Sequence, residues 1–515
     1  MKGQLSRLLL LLAFLSSTSS TCYEPTDSDP YLYFSHKTAY QLIYNSKFKP
    51  VPYCRPTFVW MFIRHGTSYP NSNESFAIRQ LHQFKERVIK NHEQRGGPFL
   101  VLYVILHNLE ILLCYWYFAD GMLCRNVLDS LRRWEFEVNP ASEDDISPQG
   151  KMDMHLMAKR MKDKMSEVLF NENNQNTYKI YSSEDNKVIN SAEEFAKTMF
   201  GEDYITNVPI EIVPNNSSYI GVYYLFTLIL NERLYLFAQY FTEPVIYDLQ
   251  LESCPKWTEE IQNSEASMFL KSPEYMNMIS QISKRLGFLD NITDEIILAM
   301  YESCRYNKAL VLESYPAWCG LFTRQELQLL EYYEDLDYYY KYGYGSEINE
   351  KVGCPIAQEL LGYLNAVAKD DPEIPSAVFR FGSSAGLMTT LLALGIVKDS
   401  VPLTHTNYHD QNRRQWKMSQ VDPFSGNLAA VFYKCDQGGE ENKVMFYLNE
   451  GVYDYPGCNV GLCSWRFIEN NFKEYLEPNG CHEVCHDESR ASGVRLSAVI
   501  LVTALLSAAL ALPRV

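Results

Sequence analysis

The chain has 515 residues, 46% of them hydrophobic, and a formal net charge of −17. That length accommodates one large domain with a sizeable insertion, or two domains, and the composition is globular rather than disordered. The acidic balance excludes a nucleic-acid binder, because nothing would neutralise the phosphate backbone, but it leaves room for a small anionic ligand in a locally basic pocket.

Lys2 and Arg7 flank an apolar run, Leu8 to Leu15, which small residues from Ser16 to Thr21 follow. The run is too short to span a bilayer, and the pattern predicts a signal peptide over residues 1–21, cleaved before Cys22. Thr57 to Ile63 (TFVWMFI) reads as a buried strand. Residues 99–118 are almost wholly apolar, with His107, Asn108 and Glu110 inside, and residues 219–241 are similar, with Asn231, Glu232 and Arg233 inside. Both stretches are long enough to cross a membrane, but their central polar residues would be costly there. Neither shows a clean period, so atypical insertions or read-through of an intron are expected, not a transmembrane pair.

Tyr178 to Tyr181 reads as a short strand and Asn186 to Met199 as the helix after it. Helices are then predicted over Trp257 to Phe288, Asp294 to Cys304, Arg324 to Tyr340 and Pro355 to Ala368. Ala377 to Phe381 is another strand and Leu387 to Val397 another helix. Strand-then-helix alternation predicts an α/β fold, a central sheet flanked by helices. Residues 22–250 and 371–485 are expected to build the sheet domain, and residues 251–370 a mainly helical cap. A last apolar run, Leu496 to Leu512, follows the small residues Ser489, Ala491, Ser492 and Gly493. Residues 489–515 therefore read as a GPI attachment signal or a plain C-terminal membrane anchor.

Thirteen cysteines are disulfide material for an oxidising compartment. CxxC metal pairs are absent, so no metal centre is expected, and no cofactor is called for. Sequons at Asn73, Asn215, Asn216 and Asn291 fit a secreted or cell-surface glycoprotein.

The sharpest chemical signal is Arg64-His65-Gly66-Thr67-Ser68-Tyr69-Pro70, directly after the first buried strand. Open α/β sheets bind ligands at the carboxyl ends of their strands. There a neutral imidazole can attack phosphorus and form a phosphohistidine. A guanidinium can grip two phosphate oxygens and hold transition-state charge. Gly66 lets the backbone pass close to the phosphate.

The segment resembles the R-H-G-x-R-x-P motif of histidine acid phosphatases, matching at Arg64, His65, Gly66 and Pro70. From about Cys54 to Cys485 the chain is similar to the multiple inositol polyphosphate phosphatases of that family. The resemblance is carried by Ile146-Ser147-Pro148-Gln149-Gly150 with Arg160, by Tyr181-Ser182-Ser183 with Asn190-Ser191-Ala192, and by Trp318-Cys319 and Glu331-Tyr332. Arg414-Gln415-Trp416, Pro423-Phe424, Asn427-Leu428-Ala429 and Leu448-Asn449-Glu450 continue it. It implies a histidine-phosphatase-type sheet and hydrolysis of inositol polyphosphates, with 2,3-bisphosphoglycerate as a further substrate. It implies His65 and Arg64 as catalytic residues and Arg64 and Lys187 around the phosphate, where Ser383 and Ser384 can donate hydrogen bonds from the start of a helix.

Three departures fall on that constellation. Ser68 stands where the motif has its second arginine. Lys187 replaces another arginine, keeping the charge but losing the planar fork. Phe381-Gly382-Ser383-Ser384-Ala385 replaces the family's F-G-H-A-E, so Ser383 and Ala385 remove a phosphate-binding histidine and the acid that protonates the leaving oxygen. Loss of a general acid costs about 10²–10⁴ in rate, and loss of one charge-stabilising donor about 10²–10³. Two readings follow: a phosphomonoesterase with impaired turnover, or an inactive phosphatase-fold protein that binds anionic ligands at the cell surface. Asp399, His405, His409, Asp410, Glu184 and Asp185 are within reach of the sequence motifs as substitute acids, but charged side chains mostly lie in solvent. His155 is expected to be packed or exposed rather than catalytic.

Overall fold

The computed structural model describes residues 22–24, 31–45, 50–93, 121–170, 177–213, 225–230, 233–238, 254–260, 265–436, 441–477 and 480–481. The strands are β1 (Cys54–Arg64), β2 (Tyr178–Ser183), β3 (Ile210–Val213), β4 (Leu225–Leu230), β5 (Arg233–Ala238), β6 (Ala377–Gly382), β7 (Asn427–Cys435), β8 (Asn442–Leu448), β9 (Gly451–Val452) and β10 (Leu462–Ser464). The longer helices are α1 (Ser72–Glu93), α2 (Arg125–Arg133), α3 (Pro148–Lys164), α4 (Asn186–Phe200), α5 (Pro273–Arg285), α6 (Asp294–Leu310), α7 (Arg324–Lys341), α8 (Ile348–Ala368) and α9 (Ser384–Ala393).

The sheet runs β10-β8-β7-β1-β6-β2-β3, with β9 paired to β8. Its β1, β6, β2 and β3 are parallel to one another, and β7 joins β1 antiparallel. The continuous apolar run predicted as a strand is the centre of this sheet, and Phe58 to Arg64 are all buried. A strand covered on both faces reads as such a run because neither set of alternate side chains meets water. Val59, Met61 and Ile63 belong to one core with Met154 and Met157 of α3 and Val188, Ala192 and Phe195 of α4. The Phe195 ring sits 5.1 Å from Phe379 and 5.4 Å from Phe381 of β6. On the alternate positions, Phe58 stacks on Tyr363 of α8 at 5.8 Å, and Trp60 Nε1 donates to Glu359 of the same helix. Mixed sheet and flanking helices are the predicted α/β class.

The described residues fall into two compact units. The sheet unit takes residues from 39–68, 145–267 and 334–515, and the helical unit residues from 1–38, 69–144 and 268–333. In the helical unit α1 packs on α6 and α2. Among the described residues, disulfides join Cys22 to Cys124, Cys54 to Cys435, Cys304 to Cys319, Cys354 to Cys481 and Cys458 to Cys463.

Several boundaries differ from expectation. The helix expected over Trp257 to Phe288 is broken, and α5 restarts at Pro273 because Ser272 caps it by accepting from Tyr275 N at 3.2 Å. Pro355 lies inside α8 rather than at its start, next to Cys354, which the bridge to Cys481 ties down. α9 begins at Ser384, capped by Ser383, and ends at Ala393, because Gly395 and Val397 turn to positive φ. Within residues 219–241 the backbone forms the antiparallel hairpin β4–β5. Residues 99–118, the signal peptide and residues 489–515 lie outside the described residues. Among the described residues no helix is long and apolar enough to cross a membrane.

The helical unit carries one sharp electrostatic feature. The Lys37 ammonium, almost fully buried, reaches both Glu74 and Glu302. Burial opposes ionisation of Glu74, but the Lys37 charge and hydrogen bond outweigh it and draw the carboxyl well below its ordinary value. A depressed carboxyl contributes stability above its unfolded pKa and loses it as pH falls toward the folded one. Glu74→Gln is therefore expected to cost about 1–3 kcal/mol at neutral pH, because it leaves the buried ammonium to Glu302 alone. The gap to wild type should narrow as pH falls below ~4 and close as it nears the folded value of about 2, which thermal melts across pH check directly.

Candidate active site

Because β1, β6 and β2 are parallel, their carboxyl ends share one edge of the sheet. The register pairs Arg64 with Gly382 and Phe381 with Ser182. The residues that leave these strands therefore start their loops side by side, and His65 N donates to Gly382 O at 3.1 Å. Ser383 follows as the cap of α9, its hydroxyl accepting from Gly386 N at 3.2 Å. Lys187, half-buried, lies in the first turn of α4, which follows β2.

His65 is buried, and its Nδ1 lies 2.9 Å from Gly66 O. A carbonyl oxygen only accepts, so Nδ1 carries the hydrogen and Nε2 keeps the lone pair of the neutral ring. The loop around it is held from two helices. Gly66 N donates to Ser191 Oγ of α4 at 3.0 Å, and Ser191 Oγ donates to Lys187 O at 2.6 Å. Thr67 Oγ1 donates to Asp153 Oδ2 of α3 at 2.8 Å, and Ser147 N and Oγ donate to Thr67 O at 2.9 and 2.7 Å. Burial raises the Asp153 carboxyl although Gln149, Gln41 and Thr67 all donate to it. Ser68, also buried, forms a bridge with Ile146.

The Arg64 side chain is only 4% exposed. Its Nη1 donates to the Asp422 carbonyl at 2.6 Å and to the Asp422 carboxylate Oδ2 at 3.3 Å. Its guanidinium lies over the Phe424 ring, 5.1 Å from the centroid. Ser384 Oγ donates to the same carboxylate oxygen. Asp422 has no exposed surface, and its Oδ1 has no hydrogen-bond partner among the described residues. Burial pushes its carboxyl up to about 6, against the pull of the Arg64 charge and the Ser384 hydroxyl. The edge thus combines an imidazole, a buried guanidinium and the capped start of a helix, an arrangement suited to anions.

The family model of the histidine phosphatase superfamily (branch 2) matches residues 57–449. The chain belongs to that superfamily. Among branch 2 relatives it is 30% identical to "Multiple inositol polyphosphate phosphatase 1" of Drosophila melanogaster, over 85% of this chain and 84% of that one. It is 22% identical to the Homo sapiens protein of the same name, covering 84% and 82%. The fold matches the crystal structure of a phytase from D. castellii at a TM-score of 0.59, with 17% identity and 88% of each chain covered. It also matches a Bifidobacterium longum multiple inositol polyphosphate phosphatase, crystallised with inositol hexasulfate, at 0.55, with 11% identity and 87% and 98% covered.

Within this branch 2 fold, the positions singled out in the sequence are distributed as follows. Arg64, His65, Ser68, Ser383 and Ser384 lie along the one edge, and Ala385, in the first turn of α9, presents a methyl group. The other acids and histidines considered are engaged elsewhere. Asp399 accepts from Gln415 N and Trp416 N, His405 Nδ1 pairs with Glu265 at 2.7 Å, and His155 Nδ1 meets Thr198 Oγ1 at 2.9 Å. Glu184, Asp185, His409 and Asp410 are exposed. The sequons at Asn73 and Asn291 are exposed, and Asn215 and Asn216 lie outside the described residues. Sequence reasoning missed Asp422. Its one available signal was a lone acid between Val421 and Pro423-Phe424, in a segment that is otherwise apolar on the way into a buried strand.

Gly66 and Gly150 pack backbone to backbone. A Cβ on Gly150 would lie 2.3 Å from Thr67 O, and one on Gly66 would lie 2.6 Å from Gly150 O. Neither neighbour is a flexible side-chain end, so Gly150→Ala must move the loop that carries His65. We expect it to lose about 1–3 kcal/mol of stability and to weaken binding of inorganic phosphate, read by calorimetry, more than an alanine at exposed Lys151 does.

Proposed function

We propose that the chain hydrolyses phosphomonoesters of inositol polyphosphates at the Arg64–His65 edge, through a phosphohistidine on His65, with turnover below that of an intact relative. The observation that carries this reading is the bond from His65 Nδ1 to Gly66 O, which makes Nε2 the lone-pair nitrogen of the neutral ring, on the residue that follows the buried Arg64. The names of its relatives support the substrate class.

In this reading Nε2 attacks phosphorus, the N–P bond forms and the bond from phosphorus to the inositol oxygen breaks. Arg64 and Lys187 hold the equatorial charge, and Ser383 and Ser384 donate from the start of α9. The departing oxygen takes its proton from water, since Ala385 has none to give. Water then attacks the phosphohistidine, releasing inorganic phosphate and regenerating the imidazole. No step calls for a metal or cofactor. The disulfides among the described residues fit an oxidising compartment. Glycans at the exposed Asn73 and Asn291, and a membrane attachment through residues 489–515, complete the proposal of a secreted or surface-tethered protein.

A second reading, anion binding without turnover, is favoured by the same three substitutions, Ser68, Ser383 and Ala385. Phosphate release from inositol hexakisphosphate at acid pH separates the two. Wild type is expected to turn over slowly and His65→Ala not at all; equal rates in both would remove His65 as nucleophile. The triple variant Ser68→Arg, Ser383→His, Ala385→Glu should gain about 10²–10⁴ in rate, the range of a restored general acid. No gain would show that these positions are not the cause of slow turnover.

A further inference from the structure

The guanidinium assigned to substrate phosphate already holds an anion supplied by the chain. Arg64 Nη1 donates to the Asp422 carbonyl and to its carboxylate Oδ2, and Ser384 Oγ donates to that same oxygen. Two donors of the phosphate site thus converge on one carboxylate. Nη1 is the guanidinium nitrogen that reaches Asp422, and a phosphate oxygen drawn to that nitrogen competes with the carboxylate for it. Both partners are buried, which leaves their interaction little screened by solvent.

We propose that Asp422 is a positioning residue of this site: its carboxylate is a built-in anion that holds Arg64 and Ser384, and an incoming phosphate or sulfate group binds by displacing it. This rests on the phosphate-site reading of Arg64 given above.

The displacement has a chemical consequence. Asp422 stays buried when its counter-charge turns to the ligand, and an unpaired buried carboxylate takes up a proton. The groups that act on it are Arg64 from β1, Ser384 from α9 and the Tyr338 phenol from α7. Of these, Arg64 is the cation. The carboxyl already sits at about 6 with Arg64 in place, and withdrawal of that charge moves it higher. Ligand binding is therefore coupled to proton uptake at neutral pH, and affinity rises as pH falls, because protonation of Asp422 releases Arg64 beforehand. The Asp422 contribution is separated from that of other titratable groups by substitution.

The experiment is calorimetry with inositol hexasulfate, whose charge is constant from pH 5 to 7.5, on the full chain in buffers of different ionisation enthalpy. Wild type should take up roughly one proton per bound ligand at pH 7.5 and bind about tenfold tighter at pH 5. Asp422→Asn should bind about tenfold tighter than wild type at pH 7.5 and lose most of that proton uptake. The same gain persisting in Arg64→Ala/Asp422→Asn would overturn the proposal, since it would reflect general repulsion rather than release of Arg64. Absence of proton uptake by wild type would overturn it without any variant, which covers the case of an Asp422→Asn chain that fails to fold. Arg64→Ala binding as well as wild type would instead refute the phosphate-site reading. A normal loss in Arg64→Ala with no gain in Asp422→Asn refutes the Asp422 role alone.

Discussion

The parallel pairing of β1 with β6, Arg64 opposite Gly382, is the constraint on which the site depends. It makes two segments more than 300 residues apart in sequence end at one place, so that His65 and Ser383 leave adjacent strands together. Side chains alternate along a strand, and a slip of one residue would send Arg64 to the opposite face. The register is pinned from the other side as well. Cys54 and Cys435 are direct partners at the far ends of β1 and β7 and are joined by a disulfide. Arg64 N is bonded to Gly426 O at 2.8 Å at the near end. The turn that carries Asp422 and Phe424 is thereby fixed against the guanidinium.

A buried guanidinium without a counter-charge is costly, and Asp422 supplies one to Arg64 in this structure. In the proposed reading, Ser68, Ser383 and Ala385 stand where the family resemblance places charged side chains, and Arg64 and Lys187 supply positive charge to the phosphate.

The sheet was legible because burial on both faces leaves a plain mark: TFVWMFI has no polar position to hide. Arg64-His65-Gly66 was legible because it follows that run at once, and the similarity of the chain to multiple inositol polyphosphate phosphatases stands on the same residues. Helix ends were less visible. The start of α9 depends on the Ser383 hydroxyl reaching Gly386 N, and its end on positive φ at Gly395 and Val397, of which only the glycine announces itself. Pro355 misled because proline favours a first turn, whereas here the preceding turns of α8 are held in place around it. Asp422 was invisible because its role comes from strands β1 and β7 lying side by side, a contact between distant segments that no local pattern encodes.

One crystal structure tests the mechanism most directly: the full chain soaked with vanadate, which adopts the geometry of phosphorus under in-line attack. This mechanism predicts vanadium bonded to His65 Nε2, with its oxygens on Arg64 Nη1 and the start of α9, and the Asp422 carboxylate released from the guanidinium. Vanadate bound elsewhere, or an Arg64–Asp422 pair unchanged with His65 unmodified at saturating vanadate, would contradict it.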